Sequence, residues 1–209
     1  AWLIAAEKRA AGDPELSLAV DGLNTYFKKD RRRFAHFVDG GITDNLGLRA
    51  IYEILEISGG PRVFVEQKLD RKPPRRLVVI SVNASTDPEP QMDVSNKQPS
   101  LKETISAMSD VQLHRYNVAT LELMEKSVKR WARELSSPGR PVTPYFIQVG
   151  FRDIQQPERR QFFNQVPTSF SLTDEQVDEL IAAGRELLRN DPDFQRFLAG
   201  LGGTRAPGR

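Results

Sequence analysis

The chain is 209 residues long and 39% hydrophobic, with 30 Lys+Arg against 28 Asp+Glu for a formal charge of +2. That length supports one sizeable core rather than two full domains, and the near balance of charge argues against a dedicated nucleic-acid binder, whose basic excess is concentrated on one face. It has no cysteine, which removes disulfide frameworks, thiolate nucleophiles and cysteine zinc sites together.

Residues 3–11 read as a short helix stopped by Gly12-Asp13-Pro14, and a weaker helical segment covers 16–27. Lys28, Lys29, Arg31, Arg32 and Arg33 then form a basic run, read as a solvated strand entrance. It leads into 34–39, a β-rich stretch broken by Gly40-Gly41 and read as a strand closing in a tight turn. Leu48, Ile51, Tyr52 and Leu55 recur at helical spacing until Ser58-Gly59-Gly60-Pro61 supplies a glycine stop and a proline beyond it. Residues 69–76 are a basic, proline-bearing connector. The apolar run 77–82 has the pattern of a central parallel strand covered on both faces. It is also far shorter than the roughly 20 residues that a membrane-spanning helix needs.

The polar stretch 84–99 is longer than most connections, which predicts a functional flap or a disordered loop. Ser100 and Glu103 form a capping box at the start of a long amphipathic helix, whole or interrupted, that ends near Ser136-Ser137-Pro138-Gly139. Tyr145, Ile147, Val149 and Phe151 share one side of a third strand. A second capping box, Thr173 with Gln176, starts a helix whose buried stripe is read as Val177, Leu180, Ile181, Leu187 and Leu188. A short last helix begins at Asp191-Pro192, and 201–209 form a flexible tail. The expected architecture is α/β, about three strands with flanking helices in a single domain over 1–200. Three strands are few for so many helices, and the chain opens on Ala-Trp-Leu-Ile rather than Met; both features predict part of a longer protein.

One segment carries a chemical signature, Phe37-Val38-Asp39-Gly40-Gly41-Ile42-Thr43-Asp44-Asn45-Leu46-Gly47-Leu48-Arg49. An aspartate ending a strand lies at the carboxyl edge of a sheet, where open α/β folds hold their ligands. Gly40 and Gly41 let the backbone turn through conformations a side chain forbids, so that the carboxylate faces a cleft. Strand alternation puts His36 on the face opposite Asp39, and His36 is not placed as its partner. Taken alone, the aspartate and two glycines also fit a plain strand-end turn. A calcium loop is excluded, because Gly41 and Thr43 stand where carboxylate or amide ligands are needed. His114 and Arg115 read as the polar side of the long helix, and His36 and His114 are too few for a His-rich metal site.

The wider string resembles the aspartate motif of the patatin-like phospholipases, specifically their bacterial members. Residues 78–84 resemble the strand that follows that motif, and 166–173 resemble the subgroup's C-terminal segment, so the resemblance covers most of the chain. It implies the C-terminal part of a three-layer α/β/α sandwich and a lipid acyl hydrolase with a Ser-Asp dyad. In that family a serine within Gly-x-Ser-x-Gly attacks the ester, a glycine-rich loop supplies the oxyanion hole and the motif aspartate is the base. Carried over to this sequence, Asp39 is the catalytic general base, Gly40 and Gly41 shape its turn, and Asp44 and Asn45 brace the turn or cap the following helix. No cofactor and no metal is implied; the partners are a lipid or ester substrate and a membrane surface, with no nucleic acid. The family places nucleophile and oxyanion loop before the aspartate, yet the 38 residues preceding Asp39 contain no Gly-x-Ser-x-Gly. Both are therefore expected in an N-terminal part outside this chain, and the chain alone is expected to be inactive. The alternative expectation is a catalytically inactive patatin-fold module that binds lipid or protein.

Overall fold

A computed structural model describes residues 2–37, 39–86, 96, 98–167 and 169–202. The chain divides into two compact units, Ala1–Asp39 and Gly40–Arg209. The flap or loop expected over 84–99 lies mostly outside the described residues, as do 203–209 of the expected tail.

In the first unit, helices α1 (Trp2–Ala10) and α2 (Pro14–Thr25) pack on each other. Local chemistry makes the break between them: Gly12 takes φ 94°, Asp13 Oδ1 accepts the Leu16 N–H at 3.0 Å, and Pro14 occupies the first turn of α2. Ala10 and Val20 are buried, and Asn24 Nδ2 donates to Glu7 Oε1 at 2.8 Å. Beyond α2, residues 32–37 have no regular structure, and Phe34 and Phe37 are 78% and 92% exposed. The strand expected over 34–39 is therefore not formed among the described residues; Val38 lies outside them. Alternating apolar residues make a strand only when a neighbour takes up their backbone hydrogen bonds, and among the described residues no strand pairs with this segment.

The second unit holds α3 (Gly41–Asp44), α4 (Leu48–Ile57), α5 (Pro61–Val63) continuing into a π-helical turn (Phe64–Lys68), and strand β1 (Arg76–Asn83). There follow α6 (Leu101–Leu135), strand β2 (Thr143–Gly150), a 3-10 turn (Phe151–Asp153), α7 (Pro157–Asn164), α8 (Asp174–Asn190) and α9 (Pro192–Gly200). Thus the fold is mixed α/β, with a two-stranded sheet among the described residues in place of three strands. β1 and β2 pair in parallel from Arg76 opposite Thr143 to Asn83 opposite Gly150, which requires the long crossover that α6 provides.

One face of the pair, through Leu77, Val79 and Phe146, meets Met124, Val128 and Trp131 of α6 and Leu48 of α4. Burying each such side chain is worth about 1.5–3 kcal/mol, so this cluster is the main core of the unit. Strand alternation turns Tyr145 to the opposite face, where its ring meets Phe197 of α9 edge-on at 5.3 Å and the Arg196 guanidinium lies 5.1 Å over it. Ile147 and Val149 are buried, so β2 is covered on both faces. β1 is not the fully covered central strand of the sequence reading: Ile80 and Val82 are 44% and 69% exposed. A smaller cluster joins Ile154, Phe163 and Val166 to Ala183 of α8, with Phe151 stacked on Phe163 at 5.1 Å.

Helix α6 is continuous over 35 residues and opens with the expected capping box, Ser100 Oγ accepting the Glu103 N–H and Glu103 Oε2 accepting the Ser100 N–H at 2.7 Å. Its C-terminal carbonyls are met by Arg62, which donates to Glu134 O from Nε at 3.0 Å and from Nη2 at 2.8 Å, and to Ser136 O at 3.1 Å. In α8 the buried stripe is Leu180, Ala183 and Leu187. Val177 and Ile181, read as part of that stripe, are exposed, and Ala183 is the buried residue of the helix.

Candidate functional site

The sequence-predicted site residues fall on either side of the boundary between the two units. Asp39 is exposed at the end of the first. Gly40 opens the second with φ −59° and ψ −23°, ordinary right-handed geometry, and a Cβ built there would meet nothing within 4 Å. The forbidden-conformation turn expected at Gly40 is thus absent, and Gly41 simply begins α3. Gly47 is the position that demands glycine: it precedes α4 with φ 66°, in the left-handed region where a side chain clashes with the backbone.

Asp44 reaches across that turn, its Oδ2 accepting the Ala50 N–H at 3.0 Å. This satisfies one of the orphan donors in the first turn of α4 and places a carboxylate at the positive end of the helix dipole. Asp44 Oδ1 is buried with no hydrogen-bond partner among the described residues. Asn45 Nδ2 donates to Ser85 Oγ at 3.0 Å, and the Ser85 N–H in turn donates to Asn83 Oδ1 at 2.9 Å. Asn83 is the last residue of β1. This short relay ties the segment after Asp39 to the carboxyl end of the parallel pair.

Two cavities adjoin there. The smaller, about 230 Å³, has Ser81, Asn117, Gln148 and Arg152 in its wall. The larger, about 560 Å³, is bounded by Asn45 and by apolar side chains including Leu46, Val82, Leu113, Leu172 and Leu180. Asn83, Ser85, His114 and Phe151 line both. His114, read from the sequence as a polar-face residue, is half-buried between the two cavities, and Asn117 one turn on is buried. The signal for this was present in principle, since His114, Asn117 and Leu121 recur at helical spacing. Nothing in the chain order says that α6 crosses the ends of β1 and β2.

Electrostatics concentrate away from these cavities, where α4 crosses α6. Glu56 Oε1 accepts from Arg130 Nη2 at 2.6 Å and from the indole N–H of Trp131 at 3.1 Å. Burial works to raise the Glu56 pKa, but those two hydrogen bonds and the Arg130 charge together hold its carboxyl below the usual glutamate range. Arg130 is correspondingly raised, first by its hydrogen bond to Glu56. Arg49 Nε donates to Tyr116 Oη at 3.0 Å, a second tie between the same helices.

Among the described residues no group of three or more His, Asp or Glu side chains is arranged to hold a metal ion, and no helix is long and apolar enough to cross a membrane. Comparison with protein-family models, with curated proteins and with solved structures finds no match to this chain.

Proposed function

We propose that this chain is the C-terminal part of a lipid acyl hydrolase of the patatin-like type, in which Asp39 is the general base of a Ser-Asp dyad. The observation that carries the reading is the string from Phe37 to Arg49, whose Asp-Gly-Gly-x-x-Asp-Asn-Leu-Gly-Leu-Arg pattern resembles that family's aspartate motif. Two structural facts support it. The relay from Asn45 through Ser85 to Asn83 holds the segment after Asp39 at the carboxyl end of two parallel strands, where open α/β sheets bind ligands. β1 also has an outer edge with no paired strand among the described residues, flanked by exposed Ile80 and Val82, as a sheet awaiting further strands requires.

In this reading an elbow serine outside the 209 residues attacks the ester carbonyl while Asp39 takes its proton. That proton then passes to the departing alcohol, and water releases the acyl group by the same route reversed. A base in that role contributes about 10²–10⁴-fold. Asp39→Ala in the longer protein is expected to lower ester hydrolysis by that factor while leaving its melting temperature unchanged. Undiminished hydrolysis by the variant rejects the assignment. The 209-residue chain has no Gly-x-Ser-x-Gly and is expected to turn over no short-chain ester.

A further inference from the structure

We infer that Asp39-Gly40 is a site of spontaneous covalent modification, where the aspartate isomerises through a cyclic imide to isoaspartate while the chemically identical pair Asp21-Gly22 is protected. The inference concerns the chain's own backbone and goes beyond the hydrolase reading. Only its consequence for activity rests on that reading.

Asp-Gly occurs twice in the sequence, and Asn-Gly does not occur. Glycine is the residue after aspartate that least obstructs ring closure, because it has no Cβ to crowd the attacking nitrogen or restrict the backbone. The Gly40 nitrogen attacks Asp39 Cγ, an N–Cγ bond forms, and one carboxyl oxygen leaves as water, carrying the amide proton and the carboxyl proton. Water then opens the imide. Cleavage at Cγ restores aspartate, whereas cleavage at the α-carbonyl leaves the main chain running through Cβ and Cγ with the free carboxylate on Cα. The water lost in the first step is regained in the second, so the sequence needs no oxidant and no further reactant.

Backbone structure separates the two pairs. Asp21 and Asp39 are both exposed, so access to solvent does not distinguish them. Asp21 and Gly22 lie inside α2. There a helical N–H is held by the carbonyl four residues back, and a ψ of about −42° keeps the next nitrogen away from the side-chain carbon it has to reach. Asp39 instead follows residues 32–37, which have no regular structure, and stands where the two compact units join. Gly40 precedes the four-residue α3 and gives that turn its carbonyl, which accepts the Thr43 and Asp44 N–H groups. Its own N–H lies outside the helical ladder. Ring closure at Asp21 therefore waits for α2 to open, and ring closure at Asp39 does not.

Isoaspartate at 39 adds one atom to the main chain and shifts the carboxylate from the side chain to Cα. In the longer protein a general base displaced in this way no longer meets the nucleophile, so hydrolysis decays in step with the modification.

The test is incubation of the intact 209-residue chain at physiological temperature in mildly acidic buffer, followed by trypsin and then by a protease that cuts before aspartate but not before isoaspartate. Trypsin releases 10–28, which carries Asp21, and 34–49, which carries Asp39. Mass spectrometry then counts the peptides left uncut at each position. Isoaspartate is expected to form at 39 at least about tenfold faster than at 21, the factor imposed by a helix-opening free energy of about 1.4 kcal/mol. In urea, with α2 melted, the two pairs are expected to react at similar rates. A Cβ at Gly40 meets nothing within 4 Å, so Gly40→Ala keeps the fold. That variant is expected to slow the reaction at 39 about tenfold, equivalent to about 1.4 kcal/mol of crowding in the transition state. Equal rates in the folded chain, a gap that survives in urea, or an unchanged rate in Gly40→Ala overturns the inference. Hydrolysis by the longer protein that does not fall in proportion to isoaspartate at 39 rejects Asp39 as the base and leaves the modification standing, so the two failures are distinguishable.

Discussion

At the scale of single residues, backbone geometry reassigns the glycines of the motif. Gly40 sits at φ −59° with open space around its missing Cβ, whereas Gly47 sits at φ 66°. Gly47→Ala is therefore expected to lower stability by about 1–2 kcal/mol, the cost of forcing a side chain into left-handed geometry. Gly40→Ala is expected to be neutral or to stabilise by about 0.4–1 kcal/mol through the unfolded chain. Urea melts of the two variants check the contrast, and equal losses would place the strain elsewhere. Glu56 gives a second test. Its pKa is lower folded than unfolded, so its ionisation adds stability above the unfolded value of about 4.3, and that stability is lost as pH falls through the folded value. Glu56→Gln keeps an acceptor for the Trp131 indole but loses the charge facing a half-exposed Arg130. It is expected to cost up to about 1 kcal/mol at pH 7, with the gap to the parent closing as pH falls through the folded value. Glu56→Leu removes the acceptor as well and leaves the indole of the fully buried Trp131 unpaired, for about 1–3 kcal/mol at either pH.

At the scale of elements, α6 is one helix with two environments. Its second half buries Met124, Val128, Trp131 and Leu135, while Leu101, Ile105, Met108 and Val111 in its first half are all more than half exposed. Helical stability comes mainly from tertiary packing, so the first half depends on its cap in a way that the second does not. Ser100→Ala is expected to speed amide hydrogen exchange over 101–112 while leaving exchange over 120–135 and the global melting temperature unchanged. Uniform acceleration along α6 would refute this. In β2, Ile147 is fully buried, and Ile147→Ala is expected to cost about 2–5 kcal/mol in a denaturant melt. Periodicity made both capping boxes, the long helix and the two paired strands readable from the chain. It failed at 34–37, where strand alternation is present and no partner strand is found among the described residues, and in α8, where Ala183 rather than Val177 faces the cluster. The turns at α5, the π-helical turn and α7 were unreadable, because three to eight residues carry too little pattern to separate a helix from a polar connector.

At the scale of the whole molecule, the chain joins two compact units across residues 39 and 40, and the approach to that junction is chemically open. Lys28, Lys29, Arg31, Arg32 and Arg33 are exposed and lie outside helix and strand. Limited trypsin treatment is expected to cut within 28–33 before it cuts at Lys126 or Lys129 inside α6, leaving a fragment that begins near residue 34. Mass spectrometry of the first product checks it, and initial cleavage within α6 would show the helix to be the weaker point.

The sequence by itself determined the mixed α/β character, the position of the two strands and the long helix between them, and the one string with a chemical signature. These are local properties, carried by apolar spacing, capping residues and short motifs. Only the tertiary structure decided which glycine is conformationally required, that Asn45 reaches Ser85, and that β1 is covered on one face. It alone brought His114 and Asn117 of α6 beside Ser81 of β1 at the end of the sheet. Those facts depend on which elements cross one another, and residues 33 or more positions apart carry no mark in the chain of the neighbour they will meet.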